Sequence, residues 1–291
     1  MQNESFVTEF ILLGLSQNLK VEKILFVVFL LVYLATIGGN MMIVVTITYS
    51  PALLGSPMYF FLAFLSLLDA FTSSVVTPKM MVDFLSERKT ISFECCITQL
   101  FAVHFFAGAE MIVLAAMAYD RYVAICKPLH YSSIMNRRLC GTLMGVAWAG
   151  GFLHSIIQIL FILHLPFCGR NVIDHYMCDL FPLLKLACMD ICLFAFFVFA
   201  NSGAICIIIF SLLLVSYVVI LFNLRAHSSE GRRKALSTCG SHITVVLFKD
   251  LLIFVNVLTP LFNPMVYTFR NKEMKNAIRK LWTRLVLVSE Q

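Results

Sequence analysis

Three side chains able to hold or exchange a small cation fall inside stretches otherwise built of apolar residues: Asp69, Glu110 and Asn263. Two carboxylates at similar depth with an amide nearby supply oxygen ligands for a hard ion such as sodium, or a pair that shares a proton. The plainer alternative is a buried polar network that only fixes helix packing. Asp120-Arg121-Tyr122, in "MAYDRYVAIC", sets an acid beside a base where an apolar run ends. Such a pair is either a border anchor or a latch whose opening frees the arginine. His104 either donates a hydrogen bond to a small ligand or satisfies a neighbour; no His, Cys or carboxylate stands at metal-ligand spacing from it. The H-E-x-x-H, G-x-S-x-G, P-loop and dinucleotide patterns are absent, so enzyme chemistry and a catalytic site are not expected.

The elements that position these groups must be membrane helices. Hydrophobic residues make up 60% of the 291 and charged ones 13%, about half the charge of a soluble domain. Such a chain cannot cover itself with polar surface. The apolar runs are of spanning length, about 20 residues or more, and lack the alternation of barrel strands. The expectation is an all-α, polytopic transmembrane protein forming one domain over 1–291. Its spans are read at 24–48, 58–84, 96–122, 139–165, 191–224, 234–248 and 251–269. The tail 270–291 is amphipathic through Met274, Ile278, Leu281 and Trp282, and reads as a helix on the inner membrane surface in contact with lipid.

Lysine and arginine placement orients the bundle. With the N-terminus outside and seven spans, 14 basic residues fall on inner segments and 8 on outer ones, the bias that topology requires. The net charge of +6 is explained this way, because no basic stripe interleaved with aromatics suggests nucleic acid. An outside N-terminus makes Asn3, in Asn-Glu-Ser, accessible to glycosylation. Cys95, Cys96, Cys168, Cys178 and Cys188 then fall on the oxidising side. No C-x₂-C pair favours zinc, and disulfides are the expected use.

Four segments taken together resemble one family: "PMYFFLAFLSLLD", "MAYDRYVAICKPLHY", "KALSTCGSHI" and "PLFNPMVYTFRN" look like the olfactory receptor branch of rhodopsin-like G-protein-coupled receptors. Asn40, Asp69, Trp148 and the N-P-x-x-Y segment Asn263 to Tyr267 match the broader class. The resemblance implies a plasma-membrane, multi-pass seven-helix bundle that binds small volatile odorants and raises cyclic AMP through a stimulatory G protein. It implies that Arg121, flanked by Asp120 and Tyr122, faces the G protein, with Tyr217 and Tyr267 holding the open inner cavity. It also implies disulfides Cys96–Cys178 and Cys168–Cys188. Asp69, Glu110 and Asn263 match the presumed sodium positions, with sodium an allosteric ligand rather than a cofactor. Trafficking chaperones are further expected partners.

The ligand pocket is expected in the outer half of the bundle. Helical spacing puts His104, Ala107, Gly108 and Met111 on one face of the third span, flanked by Phe105. Asn201, Ser202 and Ile205 offer a partly polar face on the fifth, with Gln158 and Asn256 from the fourth and seventh. Each of these has interhelical packing as its plainer role.

Lys249-Asp250 interrupts the last apolar region, where the resemblance implies that the outer half of the sixth span and the third outer loop are missing. The 15 residues 234–248 give about 22 Å of helix, short of the roughly 30 Å bilayer core. A tight hairpin at Lys249-Asp250 and a shortened sixth helix are therefore expected. One long helix through the pair would instead leave six crossings and an outer tail. A signalling-impaired receptor is the alternative function this raises. A transporter or channel is the alternative of another class, without the paired broken repeats expected of one.

Overall fold

A computed structural model of the chain describes residues 7–167, 169–188, 191–224, 260–261, 264 and 272–289. Five long helices dominate: α1 (Leu19–Tyr49), α3 (Pro57–Leu85), α4 (Phe93–Cys126), α6 (Arg137–Leu163) and α8 (Cys192–Leu224). All five are long and apolar enough to cross a bilayer. Short helices α2 (Pro51–Leu54), α5 (Tyr131–Ile134) and α7 (Leu180–Leu184) lie in the connections, and α9 (Lys272–Ser289) ends the chain.

The helices extend beyond the apolar runs because polar caps and prolines fix their ends. Asn18 accepts from the Lys20 amide and begins α1 five residues before the apolar run. Ser92 accepts from the Cys95 amide at the start of α4, and Asn136 from the Leu139 amide at the start of α6. Each cap satisfies a backbone donor that has no intrahelical partner. Pro51 and Pro57 sit at the first helical positions of α2 and α3, where a missing N–H costs nothing. Pro78 lies inside α3, and the helix continues through it to Leu85.

The central core joins α3, α4, α6 and α8 through Leu65, Val113, Met117, Met144 and Leu213. Lipid-facing positions such as Ile24, Leu31, Leu153 and Ile208 remain exposed, as a bilayer-spanning bundle requires.

An element absent from the hydropathy pattern closes the outer end. β1 (Glu9–Leu12), β2 (Thr90–Ser92) and β3 (Val172–Ile173) form a sheet ordered β2-β1-β3. β1 runs antiparallel to β2, with Phe10 opposite Ile91, and parallel to β3, with Ile11 opposite Val172. Phe10, Ile91 and Ile173 bury their side chains against Leu100 and Ile162. An ion pair between half-buried Lys89 and buried Glu22 ties this sheet to the start of α1, and Lys89 also donates to the Ser16 carbonyl at 3.1 Å. Gly14 makes the turn between β1 and α1 at φ 71°, a conformation favouring glycine.

The two directions in which the chain could leave its last apolar region are distinguishable. Asn40, in the C-terminal third of α1, donates to the Pro260 carbonyl at 3.0 Å. Met274 of α9 is buried with Ile43 and Ile47 of α1 and with Tyr59 and Leu62 of α3. Pro260 thus lies beside Asn40, and Met274 lies at the C-terminal end of α1. Six crossings would put α9 at the other end of α1. Lys249-Asp250 and the predicted spans 234–248 and 251–269 fall largely outside the described residues, so the shortened sixth helix does too.

Candidate functional site

Beneath the sheet, a half-bridge of polar side chains connects α4, α6 and α8. The approach of α4 and α6 makes it. A Cβ at Gly151 would lie 2.6 Å from the Phe105 carbonyl oxygen, and one at Gly108 would lie 3.2 Å from the Gly151 Cα. Small residues at both positions let the two backbones meet, as in other membrane helix pairs. His154, three residues after Gly151 and on the same face, is thereby brought to His104, with ring centroids 5.6 Å apart. Asn201 on α8 places its amide nitrogen 3.3 Å from His154 Nδ1. One turn away, fully buried Gln158 donates to Ser202 Oγ at 2.8 Å, while its own carbonyl oxygen has no hydrogen-bond partner among the described residues. A buried acceptor left unpaired costs about 1–3 kcal/mol unless a donor reaches it.

Four of the sequence-predicted pocket residues, His104, Gln158, Asn201 and Ser202, thus meet in one cluster. Gly108 is buried beneath them as a close-approach residue, and Ala107 is half-buried on the same helix. Phe105 turns to the α4–α6 seam, stacked near Phe101 and 5.3 Å from Trp148. Met111 packs against the central core. The Ile205 side chain and Asn256 lie outside the described residues. His154 was not legible as a site residue; the paired glycines were the signal for it.

The loop over this cluster is anchored covalently. Cys96 at the start of α4 and Cys178 form a disulfide. Gln99 reinforces it by accepting from the Cys178 amide at 3.0 Å and donating to the Val75 carbonyl at 3.1 Å. Tyr176, beside the disulfide, has its phenol pKa pushed up to about 12, by burial first and then by the Asp179 carboxylate. Cys188 is also disulfide-bonded; Cys168, its expected partner, lies outside the described residues, as does Asn3.

Mid-bundle, Asp69 is fully buried on α3 and Glu110 nearly so on α4. Thr72 donates to Glu110 at 3.3 Å. This provides oxygen donors from two helices. Asn263, the third expected member, is not among the described residues.

At the inner end, Asp120 is buried and Arg121 and Tyr122 are half-buried. The Asp120 carboxylate accepts from the Tyr131 hydroxyl at 2.7 Å. Tyr131 stands on α5, in the connection between α4 and α6, and its phenol pKa is raised by burial and then by Asp120. It therefore stays a proton donor through the physiological range. Tyr217 of α8 is buried in the central core; Tyr267 is outside the described residues. Hydropathy gave no sign of Tyr131, because its bond depends on how the connection folds back.

A family model described as olfactory receptor matches residues 29–257. The chain is 52% identical over 303 residues to human olfactory receptor 4B1, covering 98% of each chain. It is 53% identical over 301 residues to mouse olfactory receptor 4B13, covering 97% of this chain and 98% of the relative. Its match to human olfactory receptor 4A47 is 49% over 308 residues, covering 99% of each. That alignment exceeds the 291 residues of this chain by 17, so at least that many positions of it are gaps here.

Proposed function

Because the chain belongs to the olfactory receptor family, a family of multi-pass plasma-membrane odorant receptors and not of enzymes, we propose that its odorant binds between α4, α6 and α8 and drives a stimulatory G protein to raise cyclic AMP. One observation carries the location: the unpaired Gln158 carbonyl beside the Ser202, Asn201, His154 and His104 cluster. A mostly apolar bundle with a few convergent polar groups suits a small volatile molecule.

α8 links the two ends. Ser202 and Tyr217 are 15 residues apart on it, about 22 Å along the axis. A ligand that repositions Asn201 and Ser202 shifts Tyr217 within the core it shares with Met117 and Val123 of α4. Loss of the Tyr131 bond then frees the acidic partner, and Arg121 turns to the G protein. Asp69 and Glu110, with Asn263, hold sodium in the resting state. Asn3 carries glycan on the outer side. The signalling-impaired alternative gains no support from relatives matched over nearly their whole length, and the transporter reading none from the family.

The test is a cyclic AMP assay on cells displaying the full chain, screened with a panel of volatiles. A responding volatile should lose at least tenfold in potency with Gln158→Leu or Asn201→Leu at unchanged surface display. A response untouched by both substitutions would place the ligand elsewhere. Surface-displayed receptor that binds volatiles but leaves cyclic AMP flat would reject the coupling.

A further inference from the structure

We infer that the neighbouring residues Asn201 and Ser202 of α8 select odorants that carry a hydroxyl group, alcohols and phenols, over carbonyl compounds, ethers and hydrocarbons of the same shape. The inference rests on the odorant site proposed between α4, α6 and α8.

Hydroxyls on the spanning helices of this chain are mostly consumed locally. Thr36, Thr48 and Ser74 each donate to the carbonyl four residues back at 2.8 Å. Ser202 is used differently. Its oxygen accepts from the Gln158 amide nitrogen at 2.8 Å, and its own hydrogen goes to no acceptor among the described residues. Gln158 is fully buried, whereas Ser202 is half-buried. The amide thus fills the serine oxygen from the buried side and leaves the hydroxyl hydrogen for the open side. Asn201, also half-buried, has its amide nitrogen 3.3 Å from His154 Nδ1. Its carbonyl oxygen accepts from none of the described residues.

α8 therefore offers one donor and one acceptor on adjacent residues, both turned to α6 as their bonds to Gln158 and His154 require. A single hydroxyl meets both offers. Its oxygen accepts from Ser202, and its hydrogen goes to the Asn201 carbonyl. A ketone, aldehyde or ether takes the Ser202 hydrogen but covers the Asn201 oxygen without pairing it, and a hydrocarbon pairs neither. Turning both amides over exchanges donor for acceptor at each residue, and a hydroxyl still matches. The ligand's apolar body has a wall at hand. Phe161 and Phe197 stack with centroids 5.9 Å apart, one turn nearer the outer side on the same two helices.

The experiment measures affinity by ligand-induced thermal stabilisation of the purified full-length receptor, so G-protein coupling does not enter. The probes are matched pairs in which the hydroxyl is oxidised or capped: octanol and octanal, menthol and menthone, guaiacol and veratrole. In at least one pair the hydroxyl member should bind about tenfold tighter, as one hydrogen bond left unmade in a covered site predicts. Ser202→Ala and Asn201→Leu should each bring that ratio down to about twofold or less, while Ser202→Thr, which keeps the hydroxyl, should preserve it. Capped members binding as tightly as their hydroxyl partners would overturn the ligand class and leave the pocket standing. A preference that survives both Ser202→Ala and Asn201→Leu would place the hydroxyl elsewhere and overturn the assignment. Equal weakening of both members of a pair by Ser202→Ala would make the serine a packing residue, with the same result. Stabilisation by no member of any pair would remove the pocket itself and this inference with it. Should a variant not fold, the wild-type ratio decides alone.

Discussion

Asn40 donates one amide hydrogen to the Pro260 carbonyl at 3.0 Å and the other to the Thr36 carbonyl at 2.9 Å. The side chain is fully buried, and the Pro264 ring packs within 3.2 Å of where a Gly39 Cβ would stand. A residue of α1 thus holds Pro260 across 220 positions. Asn40→Leu keeps the volume but strands the Pro260 carbonyl in an apolar interior. It should cost about 1–3 kcal/mol and lower the melting temperature of the detergent-purified receptor. An unchanged melting temperature would show that the clamp is dispensable.

Tyr131→Phe removes only the hydroxyl that Asp120 accepts from. The buried carboxylate loses a neutral donor, and the resting arrangement loses about 0.5–1.5 kcal/mol or more. Basal cyclic AMP in the absence of odorant should rise severalfold. Basal signalling at the wild-type level, with equal surface display, would remove Tyr131 from the latch.

Glycine substitutions separate contact from propensity. Gly151→Ala places a methyl 2.6 Å from the Phe105 carbonyl and 2.9 Å from the Ala109 amide, both backbone groups that cannot swing aside. Overpacking of this kind costs about 1–3 kcal/mol, and surface display should fall. Gly141→Ala meets nothing within 4 Å and should be tolerated. Equal behaviour of the two would contradict the close approach of α4 and α6.

In the Lys89–Glu22 pair the carboxylate is buried and the lysine is half-buried. Lys89→Met leaves Glu22 uncompensated, a loss of about 3–5 kcal/mol where a charge stays buried. The outer sheet should loosen, read as faster amide exchange in β1. Adding Glu22→Leu should recover much of that protection. If the double variant exchanges as fast as the single one, the pair is not what tethers the sheet.

Sodium should stabilise the resting receptor if Asp69 and Glu110 hold it. Replacing potassium with sodium should raise the melting temperature by linkage to the folded state. Glu110→Gln keeps an oxygen for Thr72 but removes the charge, and the sodium-dependent increment should vanish. A sodium increment that survives Glu110→Gln would reduce the carboxylates to a packing network.

The sequence by itself determined the solvent, the helical class and the orientation. The apolar runs, the scarcity of charge and the bias of lysine and arginine follow from the cost of backbone and charge in lipid, which acts on every residue of a span and so is written along the chain. The resemblance carried together by the segments 57–69, 117–131, 234–243 and 260–271 identified the family and implied the Cys96–Cys178 bridge. Only the tertiary structure decided that His104 meets His154 and that Tyr131 holds Asp120. It alone showed that Glu9–Leu12 pairs with two loop segments. Those relations depend on how closely two helices approach and where a connection folds back. A gap set by two glycines on different helices, or a hydrogen bond spanning a loop, leaves no period in either segment alone.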